Sequence, residues 1–215
     1  MTEHHHDAIV ARLFERHGRT FAGEIGIDLP GGAPEALFQW LVAALLYSAR
    51  ISADQSTRAA RALFEAGLRT PEAMAEAGWE RRVEILNANG YARFDEKTAG
   101  MLGEMCETLA ERWANDPNAL REEAARDPEQ ELQLIQAFNG LGPTGAAIFA
   151  REAQDPWPEL RPFADKLALR AARELGLPDD AEGLAALVPE RDFTPLVAAL
   201  VRTALEKDYE AVAPG

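Results

Sequence analysis

Apolar residues recur along this chain at three- and four-residue spacing, interrupted by proline and glycine. No stretch alternates apolar and polar positions as a half-buried strand would. Ile9, Val10, Leu13 and Phe14 predict a helix over 7–17, ending near Gly18. A glycine-rich connection through Pro30-Gly31-Gly32 fills 18–33. A strongly apolar helix is expected from Pro34 to Ala49, and another from Ser52 to Ala66 with Ser52 as its N-cap. Thr70-Pro71 opens a short helix with proline at its first position. A further helix covers 79–88, Asn89-Gly90 turns the chain, and a long helix runs from Phe94 to Trp113. Asp116-Pro117 and Asp127-Pro128 each start a helix, the second ending near Phe138. Gly140-Leu141-Gly142 breaks the pattern before a helix resumes at Pro143. Pro156, Pro158 and Pro162 mark a loop, and helices are expected over Asp165 to Leu175, near 180–188 and over 193–207. With no strand and no repeat of fixed period, the expected class is all-α.

Composition narrows the function classes. A chain of 215 residues holds one large domain or two small ones. Hydrophobic residues at 47% and charged residues at 27% are globular values, so a buried core is expected rather than disorder. The lone cysteine, Cys106, rules out an internal disulfide and a cysteine-rich zinc or iron–sulfur site. No cofactor and no metal site are implied. His4-His5-His6 reads as a terminal tract rather than a ligand set. The longest apolar run, Leu41 to Tyr47, falls far short of a membrane span, and the start resembles no signal peptide. A cytoplasmic protein without a membrane partner is the expectation. A net charge of −14 argues against non-specific nucleic-acid binding, though a local cleft can differ in sign from the whole. Lys97, Lys166 and Lys207 are the only lysines; every other cation is arginine. Trp40, Trp79 and Trp113 read as core or cap residues, and Trp157, set among prolines, as exposed.

The richest stretch is 128–175. There a helix ends, Gly-Leu-Gly turns the chain, and a new helix begins, which is a helix-hairpin-helix pattern. Glycines at such a turn permit positive φ and close approach of another backbone. The amides of Gly142, Thr144 and Gly145 then sit at a helix N-terminus, where free N–H groups and the helix dipole suit a phosphate without any lysine. The competing reading is a helix C-cap glycine followed by a tight turn. Downstream, Pro162-Phe163-Ala164-Asp165-Lys166 opens a helix, and Asp165 reads either as an N-cap or as a functional carboxylate.

In this context the chain resembles the helix-hairpin-helix DNA glycosylases of the endonuclease III type. Their hairpin reads Leu-Pro-Gly-Val-Gly-Arg-Lys-Thr-Ala, against Phe138 to Ala146 here, and their Val-Asp-Thr-His stretch is similar to Ala164-Asp165-Lys166-Leu167. Leu45-Leu46-Tyr47-Ser48-Ala49-Arg50 resembles their Leu-Leu-Ser-Ala-Gln helix end, and Asn89-Gly90-Tyr91 followed by Lys97-Thr98-Ala99 resembles their Gly-hydrophobic-Tyr and Lys-Ala pair. The resemblance covers about 36–177. It implies a two-lobed helical fold with a cleft, one lobe over 36–140 and the other formed by 1–35 with 141–215, and the hairpin at 138–146 near their junction. It implies duplex DNA, damaged or mismatched, as partner. It implies Asp165 as the catalytic carboxylate, Gly140, Gly142, Thr144 and Gly145 at the DNA backbone, Arg50 as the residue that fills the gap left by an extruded nucleotide, and Tyr47 at the base pocket.

Two departures redirect the chemistry. Thr144 stands where lysine-bearing members carry the amine nucleophile, so a Schiff-base route lacks its amine unless Lys166 substitutes. The family's four-cysteine cluster loop is absent. The expectation is a monofunctional base-excision glycosylase in which Asp165 stabilises an oxocarbenium-like transition state. The alternatives are a catalytically inactive DNA-binding relative and a helical protein-interaction module.

Overall fold

A computed structural model describes residues 2–213, and its regular elements are all helical among those residues. In chain order they are α1 (Thr2–His17), α2 (Phe21–Glu24), α3 (Pro34–Tyr47), α4 (Ala53–Glu65), α5 (Pro71–Glu76), α6 (Gly78–Leu86), α7 (Asp95–Trp113), α8 (Pro117–Glu123), α9 (Pro128–Gln136), α10 (Pro143–Ala153), α11 (Lys166–Glu174), α12 (Ala181–Ala185), α13 (Glu190–Glu206) and α14 (Tyr209–Val212). A wide turn at Asn87–Tyr91 joins α6 to α7, and a single 3₁₀ turn, Pro158–Leu160, lies between α10 and α11.

The start signals act as their chemistry dictates. Proline occupies the first turn of α3, α5, α8, α9 and α10, where its missing N–H goes unused. Ser52 and Gln55 form a reciprocal capping box on α4, and Thr70, Asp116, Asp127, Asp165 and Asp180 each accept backbone N–H bonds at a helix start. The structure departs from the sequence pattern in two places, the first for a tertiary reason. The glycine-rich connection contains α2, whose first amides are held by a residue far away, Glu152 of α10 (2.7 Å from Phe21 N and 2.8 Å from Ala22 N). Helix α13 begins at Glu190, because the polar turn Glu190-Arg191-Asp192 carries no apolar signal.

The helices form two lobes. Helices α4 to α7 pack on one another, and α1, α11, α12 and α14 gather around α13. Helices α3 and α10 pack together between these groups, with α10 also touching α9 and α13. Helix α3 is buried on every side from Ala36 to Leu46, which is why its sequence is apolar all round. The Trp40 indole N–H donates to the Phe149 carbonyl of α10 at 2.9 Å and pins the two central helices. No described helix is long and apolar enough to cross a membrane.

Trp157 corrects a sequence expectation. It is 0% exposed: its ring stacks edge-on against Phe149 (5.2 Å between centroids) and its N–H donates to Asn118 at 3.2 Å. The prolines around it lay the loop over the core instead of lifting it into solvent. The exposed tryptophan is Trp79, at 41%, whose N–H donates to the Glu96 carbonyl.

Candidate active site

The site is built on the C-terminal end of α3. Its Leu46 carbonyl accepts from Tyr91 Oη at 2.9 Å and from Ser56 Oγ at 3.0 Å, so α4 and the Asn87–Tyr91 turn lock this end in place. The 138–146 hairpin seats against it. Gly140 has φ +90°, and a Cβ there would lie 2.5 Å from both Leu45 Cδ1 and Met101 Sδ. Gly145 is buried, and a Cβ would meet Ser48 Oγ at 2.7 Å and Leu141 Cδ2 at 2.6 Å. These two glycines are sites of close helix packing. Gly142 differs: it caps α10 with φ −63°, is exposed, and a Cβ added there would meet nothing within 4 Å.

Gly142→Ala should therefore fold and lose only about 0.5 kcal/mol, because alanine is a poorer N-cap, whereas Gly140→Ala should lose about 1–3 kcal/mol through overpacking and a strained positive φ. Urea unfolding of the two variants checks this. Equal stabilities would mean that the hairpin is not seated on α3 and α7 as described. Gly142 is then the clean position at which to test backbone contact with a ligand.

Beside the hairpin, a cavity of about 580 Å³ opens between the lobes. Tyr47, Thr144, Asp165 and Lys166 all line it; Arg50, Gly140, Gly142 and Gly145 do not, although Arg50 adjoins Ile51 and Gly142 adjoins Pro143 on its wall. Phe21, Phe163, Ile148 and Leu167 make the wall largely apolar. Tyr47 presents its ring to this space, edge-on to Phe21 (5.5 Å), while its hydroxyl is hydrogen-bonded to Thr57 at 2.8 Å. Burial pushes the phenol up to about 12, so it stays neutral and offers a surface rather than a proton.

Asp165 is 8% exposed, and both of its carboxylate oxygens have partners. Oδ1 accepts the N–H groups of Leu167 (2.8 Å) and Ala168 (3.0 Å) as the N-cap of α11. Oδ2 accepts the Nε–H of Arg151 at 2.6 Å, and a terminal nitrogen of the same guanidinium lies in ion-pair contact with it at 2.6 Å. Arg151 is itself only 6% exposed and lines the cavity. Lys166, one residue on, is exposed at the rim.

Sequence reasoning did not single out Arg151 or Phe21. A signal for Arg151 exists: it follows Ala146-Ala147-Ile148-Phe149-Ala150, and a cation at the end of so apolar a run needs a buried partner. Phe21 sits in a segment that reads as a loop. Its guanidinium neighbours, Arg202 at 4.1 Å and Arg151 at 5.5 Å from its ring centroid, come from α13 and α10.

No family model matches the chain, and no curated protein does either. Among solved structures, a trapped covalent intermediate of endonuclease III with DNA, in an estranged-adenine complex, is similar to it. The TM-score is 0.55 at 17% identity, over 90% of this chain and 80% of that one. The likeness establishes the fold: this is an all-α protein with the fold of endonuclease III.

Proposed function

We propose that the protein binds duplex DNA across the mouth of this cavity, takes one extruded nucleotide into it, and hydrolyses the N-glycosidic bond of that nucleotide. The observation that carries the reading is the placement of charge. Among the described residues, nearly every arginine is neutralised by an ion pair or bonded to a carbonyl. The cations without such partners are Arg50, Arg58, Arg93, Lys97, Lys166 and Lys207, and all but Lys207 lie on the cavity rim or on elements that pack against the end of α3 or the hairpin. Arg50 adjoins the cavity wall, and Lys166 lines it. Arg58 lies 3.3 Å from a Cβ built on Gly90, and Arg93 follows that turn. Lys97 precedes by one helical turn the Met101 that packs under Gly140. An acidic protein thus keeps its uncompensated positive charge where a phosphate backbone would lie.

In this reading the aromatic and aliphatic walls take the base, and Arg50 enters the vacated stack. The glycosidic C–N bond breaks with its electron pair leaving on the base. Water bonds to the sugar carbon and loses a proton to solvent, the departing base takes one up from solvent, and the Asp165 carboxylate stabilises the positive charge that builds on the sugar. Thr144 has no amine, so no Schiff base forms at the hairpin. One observation favours a second reading, binding without excision: the Arg151 guanidinium already offsets the Asp165 charge.

Binding to a short duplex containing a stable abasic-site analogue tests the proposal. With about four phosphates neutralised, by Arg58, Arg93, Lys97 and Lys166, log K against log salt should fall with a slope of about −4. Arg58→Ala and Arg93→Ala should each lower that slope by about 1. No binding at low salt would overturn both readings. Abasic binding with no excision from a panel of damaged duplexes would leave the second.

A further inference from the structure

We propose that Arg151 is the specificity-determining residue of the cavity, reading a carbonyl oxygen on the edge of the extruded base through its free terminal nitrogen. The inference rests on the proposed function and goes beyond it to the chemistry of the base.

Arg151 is held as a directional donor. Its Nε and one terminal nitrogen are fixed on Asp165 Oδ2, both at 2.6 Å, and Asp165 is in turn fixed by two amides of α11. The second terminal nitrogen, Nη1, makes no hydrogen bond among the described residues, and it is not among the buried atoms left without a partner. The side chain lines the cavity and Nη1 is not sealed from solvent, so its N–H groups are assigned to that space. A guanidinium clamped in this way presents N–H groups of set direction, with its rotamer already fixed by its partner.

The surroundings decide what those N–H groups would meet. The Arg151–Asp165 pair is net neutral and almost fully buried, with both side chains 7% exposed. It therefore offers hydrogen-bond donors without the net charge that would draw an anion inside. The walls are Phe21, Tyr47, Phe163, Ile148 and Leu167, which suit a flat ring and would leave a phosphate desolvated. Tyr47 Oη is occupied by Thr57. Lys166 is at the exposed rim, where backbone phosphates would pass. A neutral acceptor on an aromatic ring is the group that fits. A base lacking that oxygen would leave the Arg151 N–H groups dry and unpaired, which is how a polar pocket rejects an analogue.

The test compares wild type with Arg151→Lys, which keeps a positive charge beside Asp165 but loses the planar fork. Duplexes carry 2′-fluoro nucleotides, which resist cleavage, bearing guanine or 2-aminopurine, and separately uracil or 2-pyrimidinone. Each pair differs by one carbonyl. Pairing and unstacking costs are common to both proteins and cancel in the ratio of preferences. Wild type should prefer the carbonyl member of at least one pair, and Arg151→Lys should lower that preference about tenfold. Affinity for the abasic analogue, which has no base to read, should stay the same. If Arg151→Lys does not fold by its thermal melt, the double variant R151Q/D165N, which removes both charges, takes its place. An unchanged preference for both pairs in a folded variant that still binds the abasic duplex would overturn the role of Arg151 and leave the proposed function standing. Failure of wild type to bind the abasic duplex would overturn the proposed function itself.

Discussion

Asp165→Ala is expected to destabilise the free protein by about 3–5 kcal/mol, an effect unrelated to any chemistry it performs. The substitution strands the Arg151 guanidinium, 6% exposed, without its counter-charge. It also removes the N-cap of α11, worth about 1 kcal/mol more. Asp165→Asn keeps the cap, since asparagine caps as well as aspartate, but turns an amide donor or a weaker acceptor toward Arg151. Its loss should be smaller by about that 1 kcal/mol. In a chain of this length each kcal/mol moves the melting temperature by about 2–4 °C. Asp165→Ala should thus melt about 10 °C or more below wild type. Loss of excision in either variant would then mix two causes. The double variant R151M/D165N separates them, because removing both charges of a buried pair is far milder than removing one. Recovery of stability in the double variant would establish the pair as formed in solution. If Asp165→Asn instead melts as wild type does, the carboxylate is not tied to Arg151, and the reading of binding without excision loses its support.

The helical pattern was legible because its punctuation is local. A proline at N1, an aspartate or serine cap and a glycine at positive φ each act within one turn, and each lies in the sequence where it acts in space. The hairpin was legible for the same reason, with Gly140 at φ +90° carrying the turn. What escaped depends on distant partners. Helix α2 is four residues long; Thr20 caps it locally, but its first two amides are held by Glu152, more than a hundred residues on. Trp157 is covered by a fold-back of its own loop onto Phe149. At the site, the sequence order placed Tyr47, Thr144 and Asp165 as candidates, and they line one cavity. It gave no means of seeing that Asp165 is shared with Arg151, fourteen residues away across a proline-rich loop. Nor could a net charge of −14 reveal which arginines are neutralised and which are not.

Glu131→Gln is expected to stabilise the protein at alkaline pH, and the reason lies under the hairpin. Glu131, on α9, is 0% exposed, and no N–H or O–H donor of the protein reaches either of its carboxylate oxygens. Its neighbour Glu159 is bound by Arg121 through both oxygens, one of these bonds at 2.6 Å. Burial, then the hydrogen bond and charge of Glu159, push Glu131 up to about 8. Burial opposes ionisation of Glu159 too, but hydrogen bonds from Arg121, its own backbone amide and the Glu131 carboxyl outweigh it and leave it at about 2. The pair thus holds one proton, with Glu131 as donor and Glu159 as acceptor. The folded protein keeps that proton up to about pH 8, whereas an unfolded glutamate releases it near its ordinary value of 4.5. Stability must therefore fall as pH rises from 4.5 through 8, and level off above. Glutamine copies the protonated carboxyl and has nothing to release. The variant should lose about 2–4 kcal/mol less than wild type between pH 5 and pH 9. Glu152, raised to about 6 chiefly by burial, titrates in the same direction in both proteins and cancels in the comparison. Urea unfolding at pH 5, 7 and 9 decides it: parallel stability curves for the two proteins would mean that Glu131 is ionised in the fold, and that another group answers its charge.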